Sequence, residues 1–205
     1  MIDNNRIIDT LDWVERQTFL RTKQARMLSS GVQSSVLRML SKAIKPKRIL
    51  EIGTFTGYST ICLSTGIVSD KKEKSIDTLE INDELKDLIE EGFERAGISE
   101  IVNLHIGKAC DILKTLHGSY DLIYIDADKR EYPIYYDLVI NLLSPNGYII
   151  ADNVIWDGRI FMENPSNDTQ TRGIIEFNHK VLADSHVENI ILSVRDGLNI
   201  IHHIK

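Results

Sequence analysis

The chain has 205 residues, of which 42% are hydrophobic and 26% charged, so it can bury one sizeable core but is too short for two ordinary domains. Its 24 basic and 30 acidic side chains give a net charge of -6, which disfavours binding to a phosphate backbone and argues against nucleic acid as a partner. The sequence contains no apolar stretch long enough for a signal peptide or a membrane span. We therefore predict a single globular domain over residues 1–205, with no nucleic-acid or membrane partner.

Residues 1–45 are predicted to form N-terminal helices ahead of the first strand. The apolar spacing that predicts them is that of Ile7, Leu11 and Val14 in one helix and of Val36, Leu40 and Ile44 in the next. These helices are expected either to cover the binding pocket of the sheet or to form a dimer interface.

Short β-branched runs alternate with helical patterns along the rest of the chain. The predicted strands are residues 48–52, 76–81, 102–106, 122–125, 148–151, 190–194 and 198–204. The predicted helices between them are residues 59–68, 83–96, 111–116, 132–143 and 173–183. This alternation predicts an α/β fold with a parallel sheet and helices on both faces.

The last two predicted strands break the alternation. Only Arg195, Asp196 and Gly197 separate them, and Asp-Gly is a signal for a tight turn. We therefore predict a seven-stranded, mostly parallel sheet with a C-terminal antiparallel hairpin.

The two cysteines, Cys62 and Cys110, lie in or beside apolar runs and not in a CxxC or His-rich setting. They are expected to be buried, reduced thiols. This favours a cytoplasmic location.

A glycine-bearing turn follows the first predicted strand. Gly53 permits a sharp turn and close approach of a ligand, Gly57 permits close packing of helix and strand, and Ser59 is expected to bind free amides at the helix start. The spacing is GxxxG and not the GxGxxG of a dinucleotide site, so the cradle for a pyrophosphate is incomplete. The pattern favours a ligand with a sugar and a base but no pyrophosphate, although a purely structural turn would also explain it.

A carboxylate at the end of the second predicted strand strengthens this interpretation. Glu80 can accept both hydroxyls of a ribose there. Since parallel strands end at one edge of the sheet, Glu80 is expected to lie in register with Glu51 and Gly53.

Polar side chains also follow the fourth and fifth predicted strands. Asp126 leaves strand four, and Asp152 and Asn153 leave strand five. Side chains alternate between the faces of a strand, so Asp152 and Asn153 can reach one ion only if regular pairing stops there. Two carboxylates and one amide oxygen are ligands that Mg²⁺, Mn²⁺ and Ca²⁺ prefer, and Mg²⁺ is the predicted ion. Zinc is typically bound by Cys or His. The alternative is that both aspartates only cap loops.

Lys129 lies three residues after Asp126, on the loop that leaves strand four. A lysine in such a loop is commonly solvated. Beside a divalent cation, however, its ammonium form is disfavoured, which suits the amine to accept a proton. Lys129 is therefore the predicted catalytic base.

Five segments occur in the order and approximate spacing of a known family: ILEIGTFTGYST, DTLEIND, DLIYIDADKREY, GYIIADNVIWDG and the terminal RDGL. On these motifs the sequence resembles the cation-dependent O-methyltransferases, which include caffeoyl-CoA and catechol O-methyltransferases, and is most similar to their small bacterial members. The resemblance covers nearly the whole chain. It implies a Rossmann-like class I methyltransferase fold, S-adenosyl-L-methionine as methyl donor, a divalent cation and a homodimer.

The resemblance also implies a set of site residues. Metal ligation falls to Asp126, Asp152 and Asn153, and the base is Lys129. Contacts with the cofactor are implied for Ser29, Glu51, Gly53, Thr54, Ser59, Glu80 and Ala109, and Asp126 and Asp128 are also expected to approach it.

The predicted reaction is an in-line attack of a small catechol-like hydroxyl acceptor on the methyl group of the sulfonium. Three alternatives stay open: a metal-independent small-molecule methyltransferase, a nucleotide-binding oxidoreductase that binds NAD, and a non-catalytic sensor. The acceptor's identity does not follow from the motifs, because residues 156–172, with Pro165 and Asn167, are expected to border its binding site. In that segment, Trp156, Phe161 and Met162 fit either a clamp over a planar acceptor or an interface.

Overall fold

A computed structural model of the protein describes residues 4–68, 75–162 and 168–204. The α-helices in these ranges are α1 (Asn4–Arg21), α2 (Val32–Ile44), α3 (Tyr58–Ser64), α4 (Lys86–Ala96), α5 (Ala109–Leu113), α6 (Tyr132–Val139) and α7 (Thr169–Ala183). The strands are β1 (Ile49–Ile52), β2 (Ile76–Glu80), β3 (Val102–Ile106), β4 (Tyr120–Ile125), β5 (Leu143–Asp152), β6 (Val187–Leu192) and β7 (Leu198–His203). They belong to one mixed, seven-stranded sheet, which confirms the predicted α/β fold.

The chain divides into two compact units, the first ending at Ala109 and the second beginning at Cys110. In the first unit the strand order is β3-β2-β1, and both pairs are parallel. Helix α1 packs against α3 and α4, and α2 packs against α3. The predicted inner face of α1 is confirmed, because Ile7, Leu11 and Val14 are all buried.

The predicted second N-terminal helix is present as α2, but its spaced apolar residues are not its most buried ones. Val36, Leu40 and Ile44 are only half-buried, whereas the neighbouring residues Leu37 and Ser41 are buried. The cause is a close approach of α2 to α3, in which the Ser41 hydroxyl donates a hydrogen bond of 2.5 Å to the Leu63 carbonyl. The small polar side chain of Ser41 permits this approach, and such a residue does not contribute to the apolar pattern from which the helix was predicted.

In the second unit the strand order is β4-β5-β7-β6. The β4/β5 pair is parallel, while β7 is antiparallel to both β5 and β6. The predicted C-terminal hairpin is therefore confirmed, but its loop spans residues 193–197 instead of 195–197. Strand β6 ends early because Val194 N turns back to Leu192 O and Arg195 takes a left-handed conformation with φ 48°.

The cysteines differ from each other in burial. Both are free, but only Cys62 is buried and Cys110 is half-buried, so the prediction of two buried thiols is wrong for Cys110. Burial raises the pKa of Cys110 to about 11, and the nearby Glu131 adds to the rise. Among residues 4–68, 75–162 and 168–204, no helix has the length and apolar character to cross a membrane.

Candidate active site

The turn after β1 has the backbone geometry that its glycines permit. Gly53 has φ 102°, and the amides of Gly53 and Thr54 both donate to the Leu79 carbonyl at 3.0 Å. Gly57 has φ 84°, and a Cβ there would lie 2.8 Å from the ring of Phe93. A side chain at position 57 would therefore be strained and would collide with α4.

Ser59 does not have the capping role that the sequence predicts. The N-cap of α3 is Gly57, without a side-chain cap bond, and Ser59 lies buried in the first turn of the helix. Gly57 takes the cap position because its left-handed backbone ends the loop, a conformation that Ser would adopt only with strain.

Glu51 lies inside the first unit and not on its surface. Its side chain is fully buried, and its Oε2 atom accepts hydrogen bonds from the hydroxyls of Thr60 and, at 2.5 Å, of Thr78. Thr78 in turn lies 2.6 Å from the hydroxyl of Thr54. This network ties β1, β2, α3 and the turn after β1 together, and a search for ligand-binding motifs did not detect it.

Glu80 occupies the end of β2, as predicted. Its Oε2 atom accepts from the amide of Phe55 at 2.7 Å, and its Oε1 atom accepts from the amide of Asn82 at 2.8 Å. Burial raises the pKa of Glu80 above its ordinary value of 4.5, although the backbone amides oppose the rise. The carboxylate is thus fixed in direction by the turn after β1.

The other two residues implied to contact the cofactor lie outside these strands. Ser29 is buried in the segment between a short 3-10 helix (Ala25–Met27) and α2. Ala109 is half-buried and is the first residue of α5, just beyond the carboxyl end of β3.

In the second unit, two aspartates stand at the ends of paired strands. Ile125 of β4 pairs with Ala151 of β5, so Asp126 and Asp152 are the residues that follow this pair along the two strands. Strand β5 ends at Asp152, and Asn153 has a left-handed φ of 57°. Regular pairing therefore stops where the sequence requires it to stop, if Asp152 and Asn153 are to reach one ion.

A buried tyrosine that the sequence analysis missed lies between the two carboxylates. The Tyr124 hydroxyl lies 3.0 Å from Asp152 Oδ2 and 3.5 Å from Asp126 Oδ2, so both carboxylates reach the same phenol oxygen. Burial raises the pKa of Asp152 to about 7, and the nearby Asp126 adds to this rise. A bound cation would stabilise the ionised form of two carboxylates that are buried close to each other.

Lys129 is not a solvated loop residue. Its side chain is only 7% exposed, and its Nζ atom lies 2.8 Å from Asp126 Oδ1 and donates to the Tyr132 hydroxyl at 2.7 Å. The structure therefore brings the predicted base into direct contact with one of the predicted metal ligands.

Tyr132 is the second buried phenol that the sequence analysis missed. Its oxygen lies 3.0 Å from the Ile125 carbonyl and 3.0 Å from the Asp152 carbonyl, at the ends of β4 and β5. Burial, followed by the charges of Asp126 and Asp152, raises the pKa of Tyr132 well above its ordinary value, so the phenol keeps its proton. The tyrosine ends the motif DLIYIDADKREY, which was the available signal.

Asp128 serves the local backbone. It caps a short 3-10 helix (Lys129–Glu131) by accepting from the amide of Arg130 at 3.0 Å. The Arg130 guanidinium also binds this carboxylate, with Nε 2.8 Å from Oδ1, and lowers the pKa of Asp128. If Asp128 contacts a cofactor, its carboxylate must bind the cofactor and Arg130 at the same time.

The donor chemistry fits a hard divalent cation. In the described part of the chain, no cluster of three or more His, Cys, Asp and Glu side chains is suited to metal binding. The predicted set differs in kind, since it has two carboxylates and the amide of Asn153, all of them oxygen donors of the type that Mg²⁺ takes. The structural observation that favours this set is that Asp126 and Asp152 both lie within 3.5 Å of the Tyr124 hydroxyl oxygen.

The segment after β5 leaves apolar side chains open to solvent. Phe161 is 75% exposed and Met162 is 55% exposed, whereas Trp156 is half-buried. Pro165 and Asn167 lie outside the described residues. An aromatic clamp over an acceptor stays a prediction.

Comparison with known proteins identifies the relatives of this arrangement. The profile of a family described as O-methyltransferase matches residues 4–204. A catechol O-methyltransferase of Niastella koreensis is 36% identical over 166 residues, which cover 79% of this chain and 73% of that protein. Caffeoyl-CoA O-methyltransferase 2 of Populus trichocarpa is 31% identical over 192 residues, covering 87% and 76%.

Solved structures give the same result. The O-methyltransferase of Bacillus cereus in complex with SAH is 30% identical, with a TM-score of 0.84 over 98% of this chain and 91% of that one. An SAH-bound methyltransferase of Podospora anserina has 30% identity and a TM-score of 0.84, covering 98% and 88%.

Proposed function

Because the chain belongs to the O-methyltransferase family and is an S-adenosylmethionine-dependent enzyme, we propose that it methylates one hydroxyl of a small catechol-like acceptor. We propose that the reaction requires a divalent cation, with Mg²⁺ as the preferred ion. The observation that carries the proposal is the contact of Lys129 Nζ with Asp126, beside the second carboxylate of Asp152. A base next to a pair of hard oxygen ligands is what deprotonation of a chelating acceptor requires.

Asp126, Asp152 and Asn153 are the residues that would hold the cation, with Mn²⁺ or Ca²⁺ as possible replacements. When bound, the cation acts as a Lewis acid toward the acceptor hydroxyl. Tyr124 keeps the Asp152 carboxylate in place through its 3.0 Å hydrogen bond, and Asn153 N does so through a second one of 2.7 Å. These two bonds fix the direction of Asp152 without a cation.

Lys129 is the proposed base. Its amine lies among an aspartate and a phenol that both accept hydrogen bonds, and it is nearly excluded from solvent. Once it has lost a proton, the amine still donates to both neighbours and presents its lone pair to the acceptor. The amine of Lys129 takes the proton of the acceptor hydroxyl, the acceptor oxygen forms a bond to the methyl carbon as the bond from that carbon to sulfur breaks, and S-adenosylhomocysteine leaves.

We propose that the first unit supplies most contacts with the cofactor. Glu80 would accept the ribose hydroxyls, and Gly53 would allow the methionine part to approach the backbone. The further proposed contacts are those of Ser29, Glu51, Thr54, Ser59, Ala109, Asp126 and Asp128. Since the Oε2 atom of Glu51 is occupied by Thr60 and Thr78, Glu51 would contribute mainly by holding the turn.

The test is methyl transfer from labelled S-adenosylmethionine to a panel of catechols and matched monophenols, with Mg²⁺ and with excess chelator. We expect transfer to catechols alone, lost with chelator and restored by added Mg²⁺. Lys129→Met should lower kcat by about 100-fold or more, because general-base catalysis contributes roughly 10²–10⁴-fold. Lys114→Met, at an exposed lysine, is the matched control.

A metal-independent methyltransferase is the second candidate. It is favoured by the Lys129–Asp126 ion pair, which already gives one of the two carboxylates a positive partner. Transfer that persists in excess chelator, on catechols and monophenols alike, would establish this candidate and remove the cation from the proposal.

We also propose a cytoplasmic homodimer. The N-terminal helices expose apolar side chains on the first unit, among them Phe19 at 64% and Met39 at 72%. Sedimentation of the purified protein should give twice the chain mass if the dimer forms, and a monomer mass would contradict it.

A further inference from the structure

The amine of Lys129 is held by two oxygen atoms, and only one of them belongs to a predicted metal ligand. Nζ lies 2.8 Å from Asp126 Oδ1 and 2.7 Å from the Tyr132 hydroxyl. The Lys129 charge also lies 4.7 Å from the centre of the Tyr132 ring. Tyr132 thus contacts the proposed base through both its hydroxyl and its ring.

The hydrogen bonds of Tyr132 determine the direction of its hydroxyl. A phenol has one proton, and both the Ile125 and Asp152 carbonyls lie 3.0 Å from its oxygen. Carbonyls only accept, so the proton points to the strand ends and a lone pair of the oxygen is left for Lys129. The hydroxyl is therefore a fixed acceptor anchored to the backbone of β4 and β5.

The packing around Tyr132 keeps this acceptor in place. The side chain is fully buried, and its ring meets Phe177 of α7 edge to face, with 5.4 Å between ring centres. A tyrosine in such surroundings has little freedom to turn. The position of its hydroxyl relative to the two strand ends is fixed by the core.

We propose that Tyr132 is a positioning residue that holds the Lys129 amine at the carboxyl ends of β4 and β5, between its own hydroxyl and Asp126. The proposal rests on the base role of Lys129 given above. Two N–H bonds of the amine are committed to fixed acceptors, so the one remaining direction on nitrogen is fixed as well. Without the hydroxyl, the long lysine side chain regains freedom and spends less time in that arrangement.

Tyr132→Phe removes the hydroxyl and keeps the ring. We expect kcat to fall about 10- to 100-fold, since a displacement of about 1 Å in a reacting group can cost this much. The Michaelis constant for S-adenosylmethionine should stay within about twofold, because the residues proposed to bind it in the first unit are untouched. Rates are normalised to the fraction of protein that binds S-adenosylhomocysteine in calorimetry, so that misfolded protein does not count.

Tyr135→Phe and Tyr136→Phe are matched controls on the same helix. Their hydroxyls bind Glu131 at 2.7 Å and Asp184 at 2.9 Å, and neither contacts Lys129 in the structure. Both variants should keep kcat within about twofold of the wild type. A loss shared by all three variants would mean that helix α6 merely needs its hydroxyls for stability, and would overturn the proposal.

A crystal structure of Tyr132→Phe separates positioning from a general structural effect. The proposal predicts that Nζ leaves its place beside Asp126 while the backbone of β4 and β5 is unchanged. An unchanged kcat, or a reduced kcat with Nζ still in place, would overturn it. If Lys129→Met keeps the wild-type rate, the base assignment itself is wrong; if Lys129→Met is inactive and Tyr132→Phe is not, only the role of Tyr132 fails.

Discussion

The proposed ribose contact of Glu80 would make cofactor binding depend on pH. Burial raises its pKa, so the ionised form is disfavoured in the folded protein. Its contribution to folding stability is therefore fully present below the ordinary value of 4.5 and is lost as the pH rises through the raised pKa. If Glu80 makes the proposed ribose contact, the hydroxyls need its ionised form as an acceptor, so cofactor affinity and folding stability should respond to pH in opposite directions.

We predict that the affinity for S-adenosylhomocysteine weakens as the pH falls toward the raised pKa of Glu80. Glu80→Gln should weaken binding by about 10- to 100-fold at neutral pH, which corresponds to roughly 1.5–3 kcal/mol for hydrogen bonds to a charged group. The same variant should lose the pH dependence. Calorimetric titrations between about pH 5 and 8 measure both effects.

Glu84→Gln is the control for this prediction. Glu84 is exposed and lies four residues further along the chain, so its removal changes the net charge equally without touching the end of β2. An identical pH profile for wild type and Glu80→Gln would show that another group controls binding.

At the scale of elements, a glycine on α7 sets the position of the segment that carries Lys129. A Cβ at Gly173 would lie 2.3 Å from the Lys129 carbonyl oxygen and 2.9 Å from Arg130 Cα. Both are backbone atoms, so no side chain can turn away. Helix α7 therefore packs directly on the backbone of the 3-10 helix Lys129–Glu131.

Gly173→Ala is predicted to lower both stability and activity. The clash should cost about 1–3 kcal/mol, as overpacking typically does, and should shift the backbone of Lys129. Methyl transfer should fall about tenfold or more if that shift reaches the amine. Urea denaturation and the rate per folded molecule separate the two effects.

Gly92→Ala is the matched control in α4. Its Cβ would lie 3.3 Å from a side-chain methyl group of Val14, which can yield. Alanine is favoured over glycine inside a helix by about 1 kcal/mol, so this variant should be neutral or slightly more stable. Wild-type stability and rate in Gly173→Ala would mean that α7 moves aside at no cost.

The sequence predicted elements whose apolar period is strong, and missed those shaped by polar contacts. Helix α1 and the alternation of strands and helices follow from the apolar period, whereas the order of the strands in the sheet was not predicted. Strand β5 begins at Leu143, five residues before its predicted start, because the segment pairs with Tyr120 across an irregularity in the register. Such pairing depends on the neighbouring strand and leaves no local signal.

The candidate site was predictable in its charged residues and not in its phenols. Asp126 and Asp152 stand out because each directly follows an apolar run of a predicted strand, and Lys129 lies three residues after Asp126. Tyr124 looks like a core residue in the sequence because it lies in an apolar strand, whereas Tyr132 follows the charged run DADKRE, which gives no sign that its hydroxyl has a role. Only the structure shows that the Tyr124 hydroxyl binds the Asp152 carboxylate and that the Tyr132 hydroxyl binds the backbone at the end of β4.

At the scale of the whole molecule, the prediction of one domain over residues 1–205 is open to calorimetry. We expect a single transition, with equal calorimetric and van't Hoff enthalpies, despite the division into two compact units at Ala109. An unfolding enthalpy of roughly 0.7 kcal/mol per residue near 60 °C sets the expected size of the peak.

Two resolved transitions would contradict the single domain. A truncation after Ala109 sharpens the test, because an independently stable first unit would unfold at the temperature of one of the two peaks. Added S-adenosylhomocysteine should raise the temperature of the single transition if the molecule unfolds as one unit. If it does not, the ligand should raise the temperature of only one of the two peaks.

The left-handed backbone at Asn153 limits which residues the position can accept in any descendant of this protein. With φ 57°, the position favours Asn, Asp, His or Gly, and a β-branched residue there would be strained whatever its chemistry. If Asn153 holds the proposed cation, Asp or His could replace it and still supply a ligand at this position, whereas Gly would remove the ligand. Phe161 and Met162, in the exposed segment that follows, lack a left-handed backbone, so no such conformational limit applies to their replacement.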